Sequence, residues 1–165
     1  MGRILKDVQQ INNVSAAELN KLDGIKTYGA ITVTETRTFT ETGAGTYTGT
    51  IVVPAGSYVL DVAVHGIALW DAASSASMIV GDTDDDGFFT ATNLKATDLL
   101  AGEVNNFEHP GGKAGVYIAS EQRVLYNAAE RTINGIVTSV GAGSAGRTHL
   151  VVTYVTPTAV AATKV

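Results

Sequence analysis

The clearest pattern of hydrophobic and polar positions lies in the middle of the chain, in residues 46–92. A period of two runs through residues 58–65, which is typical of a β-strand with one buried face. In the predicted strand, one face carries Tyr58, Leu60, Val62 and Val64. Apolar residues 51–53 come earlier, and Pro54-Ala55-Gly56 predicts a tight turn, because proline fixes φ and glycine accepts positive φ. This stretch therefore predicts an antiparallel hairpin or a corner.

A second alternating stretch, residues 27–42, predicts a long strand. Threonine occupies every second position from Thr32 to Thr40, and the intervening positions are mixed in character. Neither face is apolar throughout, and Glu35 and Arg37 are charges of the kind that protect a sheet edge from unwanted pairing. We therefore expect an edge strand.

Further strands are predicted at residues 77–80, 88–91, 116–118, 123–126, 131–140 and 147–156. The apolar residues continue evenly past Asn134-Gly135, so we interpret 131–140 as one unbroken strand, although this dipeptide can also form a hairpin turn. Eight or nine short strands with glycine-rich turns and almost no helix predict an all-β protein. The expected architecture is a two-sheet antiparallel sandwich, jelly-roll-like, with a barrel as the alternative.

The two ends of the chain differ from the alternating part. Ser15 and Glu18 form a capping box, which predicts a short helix that ends at Gly24. We expect an N-terminal arm at residues 1–26, the sandwich at 27–157 and a tail at 158–165. A helix of two turns is not stable alone, so the arm must pack on its own domain or bind a partner. The predicted partner-binding residues of the arm are Leu5, Val8, Ile11, Leu19, Leu22 and Ile25.

Composition narrows the range of functions. The 165 residues are enough for one domain, and the absence of cysteine excludes disulfides and thiolate chemistry. The net charge of -5, with only 11 Lys and Arg, speaks against a nucleic-acid partner. The apolar runs have the length of strands, so we expect no membrane span, and the N-terminal residues show no secretory signal. Charged residues make up only 16% of the chain. Such a composition is typical of a protein whose surface is largely covered by neighbouring proteins. It also fits a β-rich domain in which threonine is frequent because its side chain suits the pleated sheet.

The sharpest local motif is Asp82-x-Asp84-x-Asp86-Gly87. It matches the first half of a calcium loop, in which alternate carboxylates converge and a glycine makes the bend. The twelfth position of such a loop is Asn93 here, where a bidentate Glu is expected, and no flanking helices are predicted. Asp82, Asp84 and Asp86 are therefore candidate calcium ligands, with an acidic, solvated hairpin loop as the favoured alternative.

Other chemistry-bearing residues are scattered. His65, His109 and His149 lie far apart without metal-ligand spacing, so we expect surface or hydrogen-bonded roles for them. The chain lacks a nucleophile elbow and the lysine of a phosphate loop, and we expect neither an enzyme nor a bound cofactor. The aromatic residues Trp70, Phe88, Phe89 and Tyr58 are expected in the hydrophobic core.

Two passages carry a family resemblance. SAAELNKLDGI, residues 15–25, resembles a short segment that recurs in bacteriophage tail-fibre and head-fibre proteins, with Ser15 in place of the usual threonine. Residues 50–94 and 130–155 resemble small tailed-phage proteins of the virion structural or head-decoration type. Together these passages cover more than half of the chain. The resemblance implies no catalytic residues.

The resemblance implies a head-decoration, or cement, protein on the outer surface of the virion. Its expected partner is the major capsid protein, and its expected assembly is a homo-oligomer, most simply a trimer, whose arms reach neighbouring subunits. Two alternatives remain open at this point, namely an attachment module of a tail or head fibre and a carbohydrate-binding sandwich.

Overall fold

The computed structural model describes residues 30–119 and 125–157, of which 31–156 form one compact unit. The predicted arm with its capping box and its six apolar residues lies outside the described residues, as do the tail 158–165 and residues 123–124 of one predicted strand.

Eight strands and one helical turn make up the described fold. They are β1 (Ala30–Thr40), β2 (Gly45–Val53), β3 (Tyr58–Ala68), β4 (Ser75–Gly81), β5 (Phe89–Asn93), β6 (Val104–Asn105), α1 (Val116–Ala119), β7 (Arg131–Val140) and β8 (Arg147–Pro157). The first sheet has the order β1-β8-β3-β6, and the second has the order β2-β7-β4-β5. The predicted all-β, two-sheet sandwich is confirmed.

The strands pair in a nested order. Strand β1 neighbours β8, β2 neighbours β7, β3 neighbours β6, and β4 neighbours β5. Among these strands, only β4 and β5 follow one another within a single sheet, so the other connections cross from sheet to sheet. The turn at Pro54-Ala55-Gly56 is therefore a corner, with Gly56 at a φ of 76°.

Two predictions about the long strands are confirmed. Strand β1 lies at an edge of the first sheet, where Arg37 Nε donates a hydrogen bond of 2.7 Å to the Thr50 carbonyl of β2. Strand β7 runs unbroken through Asn134 and Gly135, which pair with Thr50 and Gly49.

The core lies between the inner faces of the two sheets. Its largest fully buried side chains include Phe88, Phe89, Ile51 and Met78. Trp70 is also buried, and its indole Nε1 donates to Thr148 Oγ1 at 2.9 Å. The predicted core positions of Trp70, Phe88 and Phe89 are confirmed, whereas Tyr58 is 46% exposed.

A β-bulge explains why Tyr58 and Leu60 do not share a face with Val62 and Val64, although the alternation predicted that they would. Val59 pairs with Tyr154 and Asp61 pairs with Thr153, which leaves Leu60 as an extra residue in β3. One extra residue reverses the alternation. Val59 is consequently buried before the bulge, Val62 and Val64 are buried after it, and Leu60 is 45% exposed.

The bulge predicts unequal costs for two truncations that simple alternation would make similar. Leu60→Ala should change the free energy of unfolding by less than about 0.5 kcal/mol, as is usual at exposed positions. Val62→Ala should cost about 1.5–3 kcal/mol, because it removes buried methyl groups and leaves a cavity. Urea denaturation of both variants measures the difference, and equal costs would contradict the bulge.

The predicted strand at 116–118 is wrong. These residues belong to the helical turn α1, in which Ile118 N and Ala119 N donate to the Gly115 carbonyl. The Tyr117 N–H donates to the Gly87 carbonyl at 2.8 Å, and the segment joins no strand ladder. The described end of the predicted strand 123–126 forms only an isolated bridge between Tyr126 and Tyr58.

Candidate functional site

The outer face of the second sheet carries no charged side chain on β2, β7 and β4. We call this set of positions the uncharged face. It consists of Thr46, Thr48, Thr50, Val52, Thr132, Asn134, Ile136, Thr138, Val140, Ser75, Ser77 and Ile79. All twelve side chains are exposed or half-buried.

Strict alternation along each strand builds this face. The intervening residues of the same strands, such as Ile51, Ile133 and Met78, point into the core and are fully buried. At the centre of the face, Ile136 of β7 lies between Thr48 of β2 and Ile79 of β4. The result is a pleated surface of hydroxyl and aliphatic groups whose burial requires no desolvation of a charge.

The outer face of the first sheet has a different character. Alternate threonines of β1 line its edge, and Thr34 Oγ1 lies 3.1 Å from Thr153 Oγ1 of β8. Asp61 accepts a hydrogen bond of 3.1 Å from the Phe107 backbone N–H. Burial raises the pKa of Asp61 and prevails over this hydrogen bond, which lowers it.

Two histidines that appear unrelated in the sequence meet on this face. His65 of β3 lies directly opposite His149 of β8 in the antiparallel register, and both side chains are half-buried. Burial lowers the pKa of His65, and the neighbouring His149 lowers it further. His65 and His149, which are far apart in the sequence, are therefore neighbours in the sheet, whereas His109 is exposed in the segment after β6.

The acidic motif forms the hairpin loop between β4 and β5. Asp82, its first carboxylate, accepts a hydrogen bond of 2.8 Å from the Tyr117 hydroxyl and lies 2.6 Å from Arg131 Nε. Burial opposes ionisation of Asp82 most strongly, but Tyr117 and Arg131 together outweigh it, so its pKa is lowered.

The other two candidate calcium ligands, Asp84 and Asp86, are exposed. Residues 30–119 and 125–157 contain no group of three or more His, Cys, Asp or Glu residues that could hold a metal ion. The structure therefore engages Asp82 with protein groups and leaves Asp84 and Asp86 facing solvent.

A buried carboxylate joins three loops at one end of the sandwich. Glu41, directly after β1, accepts hydrogen bonds of 3.0 Å from the backbone N–H groups of Asp71 and Gly146. It also lies 3.3 Å from Ser139 Oγ. The Ser144 and Ala145 N–H groups donate to the Asp71 carboxylate and lower its pKa. The carboxylates of Glu41 and Asp71 therefore hold these loops together.

Comparison with solved structures finds the same sandwich in phage particles. One chain, in the acidic stable capsid structure of Helicobacter pylori bacteriophage KHP30, is 16% identical with a TM-score of 0.52, and the match covers 78% of this chain and 90% of that chain. Another, in the capsid asymmetric unit of cyanophage Pam1, is 18% identical with a TM-score of 0.54, and the match covers 79% of this chain and 88% of that chain. The chain shares its fold with components of phage capsid structures.

The sequence resemblance to phage virion proteins and this shared fold agree. No protein-family model matches the chain, and a search of curated proteins also finds no match. Among the described residues, no helix is long and apolar enough to cross a membrane.

The sequence shows that the chain has few charged residues, but it does not show that uncharged positions lie together on one surface. The available signal was an uncharged Thr, Ser, Asn, Val or Ile at every second position of β2, β4 and β7. Only the pairing of these three strands shows that their uncharged positions lie side by side.

Proposed function

We propose that this chain is a phage head-decoration (cement) protein, which binds the lattice of the major capsid protein on the outer surface of the virion and stabilises the head. The observation that carries the proposal is the sandwich that it shares with chains of two phage capsid structures over more than three quarters of its length. The virion-like passages at 15–25, 50–94 and 130–155 support it. The proposed action is adhesive and needs neither catalysis nor a cofactor.

The uncharged face is the part of the described structure best suited to contact the lattice. The whole chain carries a net charge of -5, so a contact made through its charged loops would depend on matching charges and on the salt concentration. Contact through Thr, Val and Ile side chains avoids the cost of removing charges from water. We therefore place the lattice contact on this face.

The size of the face indicates how such attachment would work. The three strands of this face, at the usual spacing and rise, cover about 400 Å², which is about half of the roughly 800 Å² per partner of a standard stable interface. One such contact is weak. Several copies joined as a trimer would gain about 100-fold or more in avidity, and the arm at residues 1–26 would add a further attachment to neighbouring subunits.

Copy number in purified virus particles tests the proposal. A decoration protein repeats over the lattice, so quantitative mass spectrometry and cryo-electron microscopy should find many copies spread over the head. A few copies at a single vertex or on the tail would favour the fibre-module alternative. Absence from the particle would overturn the proposal.

A charge placed on the uncharged face should weaken binding to the head. Thr138 is exposed at the centre of the face, beside Thr46 and Ser77. Thr138→Lys should reduce binding to heads that lack the protein by about tenfold or more, because the ammonium group would lose water without gaining a partner.

Thr36→Lys is the matched control. Thr36 is also exposed but lies on the outer face of the first sheet, so this variant should bind as the wild type does. Co-sedimentation with heads measures both, and circular dichroism establishes that both variants are folded. Equal binding by Thr138→Lys and the wild type would show that the lattice contact lies elsewhere.

A further inference from the structure

The pair of histidines on the first sheet has the arrangement of a metal site. His65 and His149 are directly opposite each other on neighbouring antiparallel strands. Residues in that relation have Cβ atoms about 4.5–5.5 Å apart, on the same face of the sheet. Two imidazoles that extend side by side from such positions can bind one ion between them.

Both imidazoles are available for a ligand. In the described part of the chain, neither ring takes part in a hydrogen bond or an ion pair with another protein group. Asp61, two residues before His65, holds the Phe107 N–H with one of its oxygens. Both residues are half-buried, so each stays partly accessible to solvent.

The two imidazole nitrogens indicate which class of metal ion the pair would bind. Neutral imidazole nitrogen is a preferred ligand of Zn²⁺, Cu²⁺ and Ni²⁺, whereas Ca²⁺ and Mg²⁺ require oxygen ligands. A metal ion binds the neutral form of each imidazole. No third ligand completes the pair within residues 30–119 and 125–157, so water would fill the other coordination positions.

We propose that His65 and His149 form a two-imidazole binding site for a divalent transition-metal ion, with Zn²⁺ as the representative. This inference stands apart from the proposed capsid function. An ion held there links β3 to β8 through side chains in addition to their backbone ladder. Because an ion that binds the folded state stabilises it, Zn²⁺ should raise the unfolding temperature of the protein.

The experiment compares full-length wild type with His65→Gln and His149→Gln, and uses His109→Gln as the matched control, since His109 is exposed and lies away from the pair. Metal-free protein is titrated with Zn²⁺ in a calorimeter, and thermal unfolding is followed with and without the ion. Wild type and His109→Gln should bind Zn²⁺ and gain thermal stability. Each variant of the pair should bind at least about tenfold more weakly and lose most of the gain.

Circular dichroism in the absence of metal establishes that each variant is folded before the titration. Two results would overturn the proposal. One is a wild type that binds no Zn²⁺. The other is a His65→Gln, His149→Gln double variant that binds as tightly as the wild type, because the ion would then occupy another site.

Discussion

Asp82→Ala should lower the free energy of unfolding by about 3–5 kcal/mol, the usual cost of removing one partner from a buried ion pair. Arg131, the other partner, is only 4% exposed. Its guanidinium lies 4.9 Å from the centroid of the Phe88 ring and 5.5 Å from that of Tyr117. Without the carboxylate, a buried cation would lose the partner that lies 2.6 Å from its Nε.

The effect of Asp82 should depend on pH in a defined direction. Its folded-state pKa is lowered from the ordinary value of 3.8, because Tyr117 and Arg131 outweigh the opposing effect of burial. A carboxyl group with a depressed pKa contributes stability above its unfolded pKa and loses that contribution as the pH falls through the folded pKa. The gap between wild type and Asp82→Ala should therefore be full at neutral pH and should close in acid below 3.8.

Urea denaturation at several pH values measures this gap, and the same loop provides the controls. Asp84→Ala and Asp86→Ala remove exposed carboxylates and should each change stability by less than about 0.5 kcal/mol. A double variant, Asp82→Ala with Arg131→Met, should recover part of the loss, because the buried cation is then removed as well. If Asp82→Ala changed the free energy of unfolding as little as Asp84→Ala, the ion pair would not stabilise the fold.

Glu41→Ala should cost about 2–5 kcal/mol, since each buried donor that loses its acceptor costs about 1–3 kcal/mol. Glu41 is 2% exposed. Its removal would leave the N–H groups of Asp71 and Gly146 without their acceptor and would take a hydrogen-bond partner from Ser139. The variant would also open a cavity beside Trp70, which packs close to Gly146.

The surroundings of Glu41 show that the loops are built around its carboxylate. At Gly143, an added Cβ would overlap Glu41 Oε1 and would lie 2.7 Å from the Ala72 backbone nitrogen. Only glycine therefore allows the β7–β8 connection to pass so close. The carboxylate joins the end of β1 to the loops that follow β3 and β7.

Thermal and urea unfolding of Glu41→Ala test this role, with Glu108→Ala as the control, because Glu108 is exposed in a loop. Glu41→Gln retains one acceptor oxygen and should lie between wild type and Glu41→Ala. A Glu41→Ala protein within about 0.5 kcal/mol of wild type would show that water replaces the carboxylate without cost.

Much of the architecture could be predicted from the sequence because β-strand periodicity is a local property. The alternation in residues 131–140 and 147–156 located β7 and β8 closely, and the charges at Glu35 and Arg37 identified β1 as an edge strand. Glycine and proline marked the turns for an equally local reason, since they restrict or extend the φ angle of single residues.

The sequence could not predict the environment of residues that depends on pairing with another strand. Tyr58 was expected in the core and Leu60 on the same face as Val62, but the bulge at Leu60 is defined by the pairing of β3 with β8. The turn at residues 54–56 was compatible with a hairpin or a corner, and the choice depends on β2 and β3 joining different sheets.

By itself, the sequence determined that this protein is an all-β sandwich with an edge strand at β1, few charges and no cysteine chemistry. Only the tertiary structure decided that Asp82 pairs with Arg131, that His65 faces His149, and that three strands combine into an uncharged face. The physical reason is that alternation depends on neighbours in the chain. Register and sheet order instead bring together residues that are distant in the sequence.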